Sequence, residues 1–319
     1  MSSKENSNIL ILIVRNFKSI TDKNKKNIFY LIYYSILEAF LLMIAPLMAA
    51  VIINSVLAHA TFSIYVLSFI VIITFFGITV LQVINQYIIE KFEQQIFVQE
   101  AIKTAQASIA LKENATDQHL NKYMNYFFDV LSIQKLFPTL LLNAVSLIVK
   151  LMVSLLLLLI FDLNLFLLGI FFIISFSIIM FFLGKGGINF SIKRSDAKHE
   201  AIYFLQNIPK YHKDTKKTFH RLDYLLIRFV HARTKMFKVV IRQLSLTFFM
   251  EGLIMSSFFI LGGYLVFEAK LPIGEFVAAE ILIVSLTYAF RDFMKQIDYI
   301  YDMIEGFYKL NKLSKKLGA

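Results

Sequence analysis

Six long apolar runs punctuate the chain, at about 28–53, 64–89, 138–160, 163–184, 244–267 and 273–296. As a helix rising about 1.5 Å per residue, each spans roughly 30 Å of hydrocarbon. The connections between them alternate in length. Those after the first, third and fifth runs are short (Asn54–Ser63, Phe161–Asp162 and Glu268–Pro272), whereas those after the second and fourth cover 90–137 and 185–243. The long connections do not read as loops. No Gly or Pro occurs between Gly77 and Pro138, between Gly187 and Pro209, or between Pro209 and Gly252, so the residues that most disfavour a helix interior are missing from them. Ile89, Phe92, Ile96, Ile102, Ala105 and Ile109 keep helical spacing well beyond the second run.

The pattern therefore predicts helices that continue past the membrane, at about 64–112, 121–160, 164–205, 219–267 and 273–316. The first of these would be about 73 Å long. Two polar connectors, Glu113–Asn121 and Asn207–Lys217, would join long helices at their far ends, with Pro209 breaking the second. Residues 8–20 hold the apolar run Ile9–Val14 followed by Arg15 and Lys18. That run is too short for a signal-peptide core and predicts an interfacial helix lying along the inner leaflet. The expectation is an all-α membrane protein. It has a cytoplasmic N-terminus over 1–27 and one six-helix membrane domain over 28–319, with helical excursions into the cytoplasm at 90–137 and 185–243.

Charge orients this frame. Of the 33 Lys and Arg, 31 fall in 1–27, 90–137, 185–243 and 290–319, leaving only Lys150 and Lys270 elsewhere. Cationic loops stay cytoplasmic during insertion, which predicts a multi-pass protein of the inner (cytoplasmic) membrane with both termini in the cytoplasm. The net charge of +11 is thus a topology signal, reinforced by anionic headgroups of the lipid bilayer, and not a sign of a nucleic-acid partner. The chain has no Cys, which removes disulfides and thiolate chemistry, and no Trp, so Tyr30, Tyr33 and Tyr34 are the aromatic anchors expected near the start of the first span.

Glu38, Lys150, Glu251 and Glu280 fall inside the spans, away from their ends. A charge in hydrocarbon is costly unless it faces a cavity or a partner. These four are therefore candidates for a translocation path, against the alternative of structural ion pairs. Arg291, Asp292 and Lys295 stand at the cytoplasmic end of the last span, as expected of anchors or intracellular ion pairs. His199, His212, His220 and His231 contain no i,i+4 pair and do not read as metal ligands. No Walker A pattern G-x-x-x-x-G-K-[ST] is present. Gly184-Lys185-Gly186-Gly187 lacks the hydroxyl residue that would hold Mg²⁺ and reads as a helix joint. No catalytic, cofactor or metal residue is expected, and the chain is not an enzyme by itself.

Six spans, short outer turns and helical excursions after spans two and four resemble the transmembrane domain of an ABC exporter. Residues 262–279 (GGYLVFEAKLPIGEFVAA) resemble the link between the last two helices of such exporters, with Leu271, Pro272, Ile273 and Gly274 in place of an LTxG turn. Residues 123–143 and 292–313 resemble the entry to helix three and the end of helix six in a bacterial subgroup near haemolysin-type, type I secretion exporters. The resemblance implies two coupling helices that dock on an ATPase, here Asn114–Leu120 and Ile208–Lys216. Asn114, Asp117, His119, Ile208, Pro209, Tyr211, Lys213 and Asp214 are then the contact residues. It implies a dimer with a second copy or paralogue of the domain, an ABC ATPase subunit that binds ATP and Mg, and, at family level only, a periplasmic adaptor. The ATPase would lie on a separate polypeptide or in a segment cut from this one. Two other readings stay open: an ATP-independent transporter or channel, and a non-transporting scaffold subunit of a membrane complex.

Overall fold

The computed structural model describes residues 18, 20–110, 117–211 and 215–317. The helices are α1 (Lys25–Leu57), α2 (Thr61–Ala110), α3 (Asp117–Phe161), α4 (Leu163–Leu183), α5 (Gly187–Asn207), α6 (Thr215–Phe267), α7 (Ile273–Lys295) and α8 (Ile297–Leu317), with a 3₁₀ turn at Ile208–Tyr211 between α5 and α6. Six segments are long and apolar enough to cross a membrane: α1, α4, α6, parts of α2 and α3, and the stretch Ile273–Lys309. The interfacial helix expected over 8–20 lies almost wholly outside the described residues. Only its end is seen, where residues 20–23 are helical and turn at Asn24 into α1.

The long helices are as long as the absence of breakers requires. Helix α2 has 50 residues and α6 has 53, about 75 and 80 Å at 1.5 Å per residue. Pro46 and Pro138 are carried inside α1 and α3. Asp162 makes the tight turn between α3 and α4. Its side chain accepts from the backbone N–H of Asn164 at 2.7 Å and of Leu165 at 3.3 Å, capping the first turn of α4.

Two helices expected to be continuous are broken. The helix expected over 164–205 stops at Leu183 and restarts at Gly187. Gly186 adopts φ +86°, a conformation open to glycine at little cost. A side chain on Gly187 would sit 2.4 Å from the Tyr301 hydroxyl, so the missing Cβ lets α8 close on the joint. The helix expected over 273–316 breaks at Gln296, whose N–H bonds to the Phe293 carbonyl in a tightened turn at 3.0 Å. Its side chain accepts from Asn143 Nδ2 of α3 at 2.8 Å. The two joints therefore lie together: Ser191 Oγ donates to the Tyr301 carbonyl at 3.0 Å, and the Tyr301 hydroxyl donates to Gln243 Oε1 of α6 at 3.2 Å.

Helices α1, α2, α3 and α7 pack together, α4 lies on α3 and α6, and α5 lies on α6 and α8. Phe92, Phe137 and Phe307 join α2, α3 and α8 in edge-to-face contacts at 5.8 and 6.4 Å. Met43, Val153, Leu157 and Leu282 fill the centre between α1, α3 and α7. At the outer end α7 meets α1 so closely that a Cβ on Gly274 would lie 2.4 Å from Asn54 Oδ1 and 2.5 Å from the Ala50 carbonyl oxygen. Gly274→Ala must push the two helices apart. The expected cost is about 1–3 kcal/mol of overpacking, read as a lower thermal unfolding midpoint of the purified protein.

Candidate translocation and coupling sites

The four intramembrane charges do not share one environment. Glu38 of α1 faces α2 and accepts from Gln82 Nε2 at 3.2 Å and from Asn85 Nδ2 at 3.0 Å. Lys150 of α3 is near enough to Glu38 to interact with its charge. Glu251 of α6 accepts from Arg291 Nη1 of α7 at 2.9 Å, and the Arg291 guanidinium stands 4.5 Å above the Tyr288 ring. Lys295 pairs with Asp292 at 3.0 Å. Glu280 differs from all of these. It is 9% exposed, its Oε2 is enclosed without a hydrogen-bond partner among the described residues, and its carboxyl group lies beside Gly262.

Past the glycine joint, a network that sequence reasoning missed ties α5 to α8. Arg194 is buried and donates to three carboxylates: to Glu305 Oε2 at 2.8 Å, to Asp298 Oδ1 at 3.4 Å and to Asp302. Lys198 reaches the other oxygen of Glu305 at 3.0 Å, Arg233 of α6 reaches Asp298 at 3.1 Å, and the buried Lys309 reaches Asp196 at 2.6 Å. Burial by itself disfavours the guanidinium charge, but Glu305 and Asp302 more than offset it and hold the Arg194 pKa above its ordinary value. A sequence signal existed. Asp298, Asp302 and Glu305 follow i, i+4, i+7 spacing and Arg194 and Lys198 follow i, i+4, which makes complementary stripes on two helices.

The expected coupling residues fall at the far ends of the long helices. Ile208, Pro209 and Tyr211 form the 3₁₀ turn, and Pro209 is exposed with Ile208 half-buried. The turn follows α5 of 21 residues, about 31 Å of helix past the glycine joint. Asp117 and His119 open α3. Asn114, Lys213 and Asp214 lie outside the described residues.

No protein-family model and no curated protein matches the sequence. Among solved structures, a bacterial Atm1-family ABC exporter with ATP bound superposes with a TM-score of 0.72 over 92% of this chain, at 12% identity. The fold is that of an ABC exporter transmembrane domain. The chain spans 54% of the length of that exporter. In these terms α1, α2, α3, α4, α6 and α7 carry the six spans of a multi-pass membrane protein. The 3₁₀ turn between α5 and α6 lies at the far end of its second excursion.

Proposed function

We propose that this chain is the membrane-spanning subunit of an ATP-driven exporter in the inner membrane, with both termini cytoplasmic. It works as a dimer with a second copy or paralogue, and ABC ATPase subunits on separate polypeptides supply ATP and Mg binding. The observation that carries this reading is the stiffness of the excursions. Helices α2 and α6 run unbroken well past their apolar runs, over 50 and 53 residues. Movement of an ATPase pressing on Ile208 and Pro209 would travel along α5 and α6. The Arg194 network would pass it to α8, and the joint at Gln296 would pass it to α7, which carries Glu280 and Arg291. Rocking of two such bundles is the kind of rigid-body motion that alternates access.

The test is gentle purification from native membranes with an ATPase assay. An ATP-binding subunit is expected to co-purify. Ile208→Asp is expected to weaken its retention roughly tenfold, about 1.4 kcal/mol, while leaving the unfolding midpoint of the membrane subunit unchanged. A preparation free of any ATPase, from membranes in which the chain is intact, sinks the proposal in favour of an ATP-independent transporter or a scaffold subunit.

A further inference from the structure

We propose that Glu280 is a proton-binding site between α6 and α7. While the two helices are closed over it the side chain is a neutral carboxylic acid, and it gives one proton to water when they part. The site stands on the packing of α6 against α7 and is independent of the transport reading.

The acids that lie away from the span ends differ in what surrounds them. Glu38 has the amides of Gln82 and Asn85 as donors, and Glu251 has the Arg291 guanidinium. Glu280 has neither an amide nor a cation. It is buried, its Oε2 is enclosed, and no hydrogen bond or ion pair reaches it from a described residue. An isolated carboxylate is not sustained in surroundings of this kind, where the group takes up a proton and becomes neutral instead. The cover comes from α6. Phe276, one turn before Glu280, lies so close to Gly262 that a Cβ there would be 2.7 Å from its ring, and Glu280 Oε1 would be 4.0 Å from the same Cβ.

The charged groups on the neighbouring elements lie elsewhere. On α6, Glu251 precedes Gly262 by eleven residues and Glu268 follows it by six, about 16 and 9 Å of rise. Glu251 is paired with Arg291 of α7, and Glu268 with Lys270. Helices α1 and α3 meet α7 at Leu282, which is two residues from Glu280 and so on the opposite side of the helix. Their charges, Glu38 and Lys150, interact with each other. Parting of α6 from α7 at Gly262 uncovers the carboxyl group, and a glutamic acid in water ionises above about pH 4.3. The closed form thus holds a proton that the open form does not. Acid favours closure. Opening becomes about tenfold more favourable per pH unit over the range in which only the closed form keeps the proton.

The test uses the purified chain in lipid nanodiscs at neutral pH, without any ATPase. Infrared absorption resolves the carbonyl band of a protonated carboxyl group from ionised carboxylates and from amides. The band is expected in the unaltered chain and is expected to be lost or reduced in Glu280→Gln. Its absence from the unaltered chain, or its survival in full in Glu280→Gln, overturns the proposal, and the first of these outcomes needs no variant. Release on opening is read separately, by hydrogen exchange of the α7 backbone amides over 276–284. The exchange rate of the unaltered chain relative to Glu280→Gln is expected to rise with pH, by up to about tenfold per unit. A ratio that stays constant as pH rises overturns the release of the proton on opening.

Discussion

Arg194→Ala is expected to be the most destabilising single change in the half of the molecule that holds α5 and α8, by about 3–5 kcal/mol. The side chain is 5% exposed, and of its three acidic partners Glu305 is 4% exposed while Asp298 and Asp302 are 26% and 35% exposed. Without the guanidinium, Asp298 and Asp302 can turn toward water, and Asp298 keeps Arg233. Glu305 cannot turn outward. Among the described residues it keeps Lys198, itself 38% exposed, and holds a buried charge without full compensation. The sign of the second substitution distinguishes this account from simple loss of packing. Arg194→Met combined with Glu305→Met removes both buried charges, and apolar replacement of a buried pair is often neutral or stabilising. The double variant is therefore expected to melt well above Arg194→Ala in thermal unfolding of the purified protein. Equal midpoints for the two would mean that the stripe of acids on α8 does not depend on Arg194.

That network shows where sequence reasoning reaches and where it stops. The extents of α2 and α6 were legible to within a few residues, because no Gly or Pro stands between Gly77 and Pro138 or between Pro209 and Gly252, and a helix leaving the apolar run has no local reason to end there. The joint after α4 was legible only in part: Gly184, Gly186 and Gly187 read as a joint, yet the helix was expected to continue over 164–205. The joint at Gln296 was not. Nothing in the neighbouring sequence breaks a helix there, and the side chain is engaged by Asn143, 153 residues earlier. The same limit applies to the charges. Glu251 and Arg291 could each be named from their places in apolar runs, but their pairing across 40 residues depends on which faces of α6 and α7 meet. The two charged stripes that build the Arg194 network were visible on their own helices. Only the return of α8 beside α5, at joints placed level with each other, turns them toward one another.

Glu280→Leu and Glu38→Leu are expected to change stability in opposite directions. Both residues looked alike in sequence, as acids inside apolar spans. Glu38 accepts two side-chain hydrogen bonds and lies within reach of Lys150. Its loss leaves the buried Asn85 amide without its acceptor and Lys150 without its counter-charge, a cost of about 1–3 kcal/mol. Glu280 has no such partner among the described residues, and its Oε2 is enclosed between apolar neighbours. A carboxyl group in that position costs on the order of 3 kcal/mol to keep in the membrane, and leucine of similar size removes the cost. The expected result is a higher unfolding midpoint for Glu280→Leu and a lower one for Glu38→Leu, measured under the same detergent conditions. A residue retained against stability points to activity. In the proposed complex Glu280→Leu is accordingly expected to lower ATP-driven transport while the subunits stay assembled. A fall in the midpoint of Glu280→Leu comparable to that of Glu38→Leu would show that Glu280 has a structural partner and remove it from the translocation path.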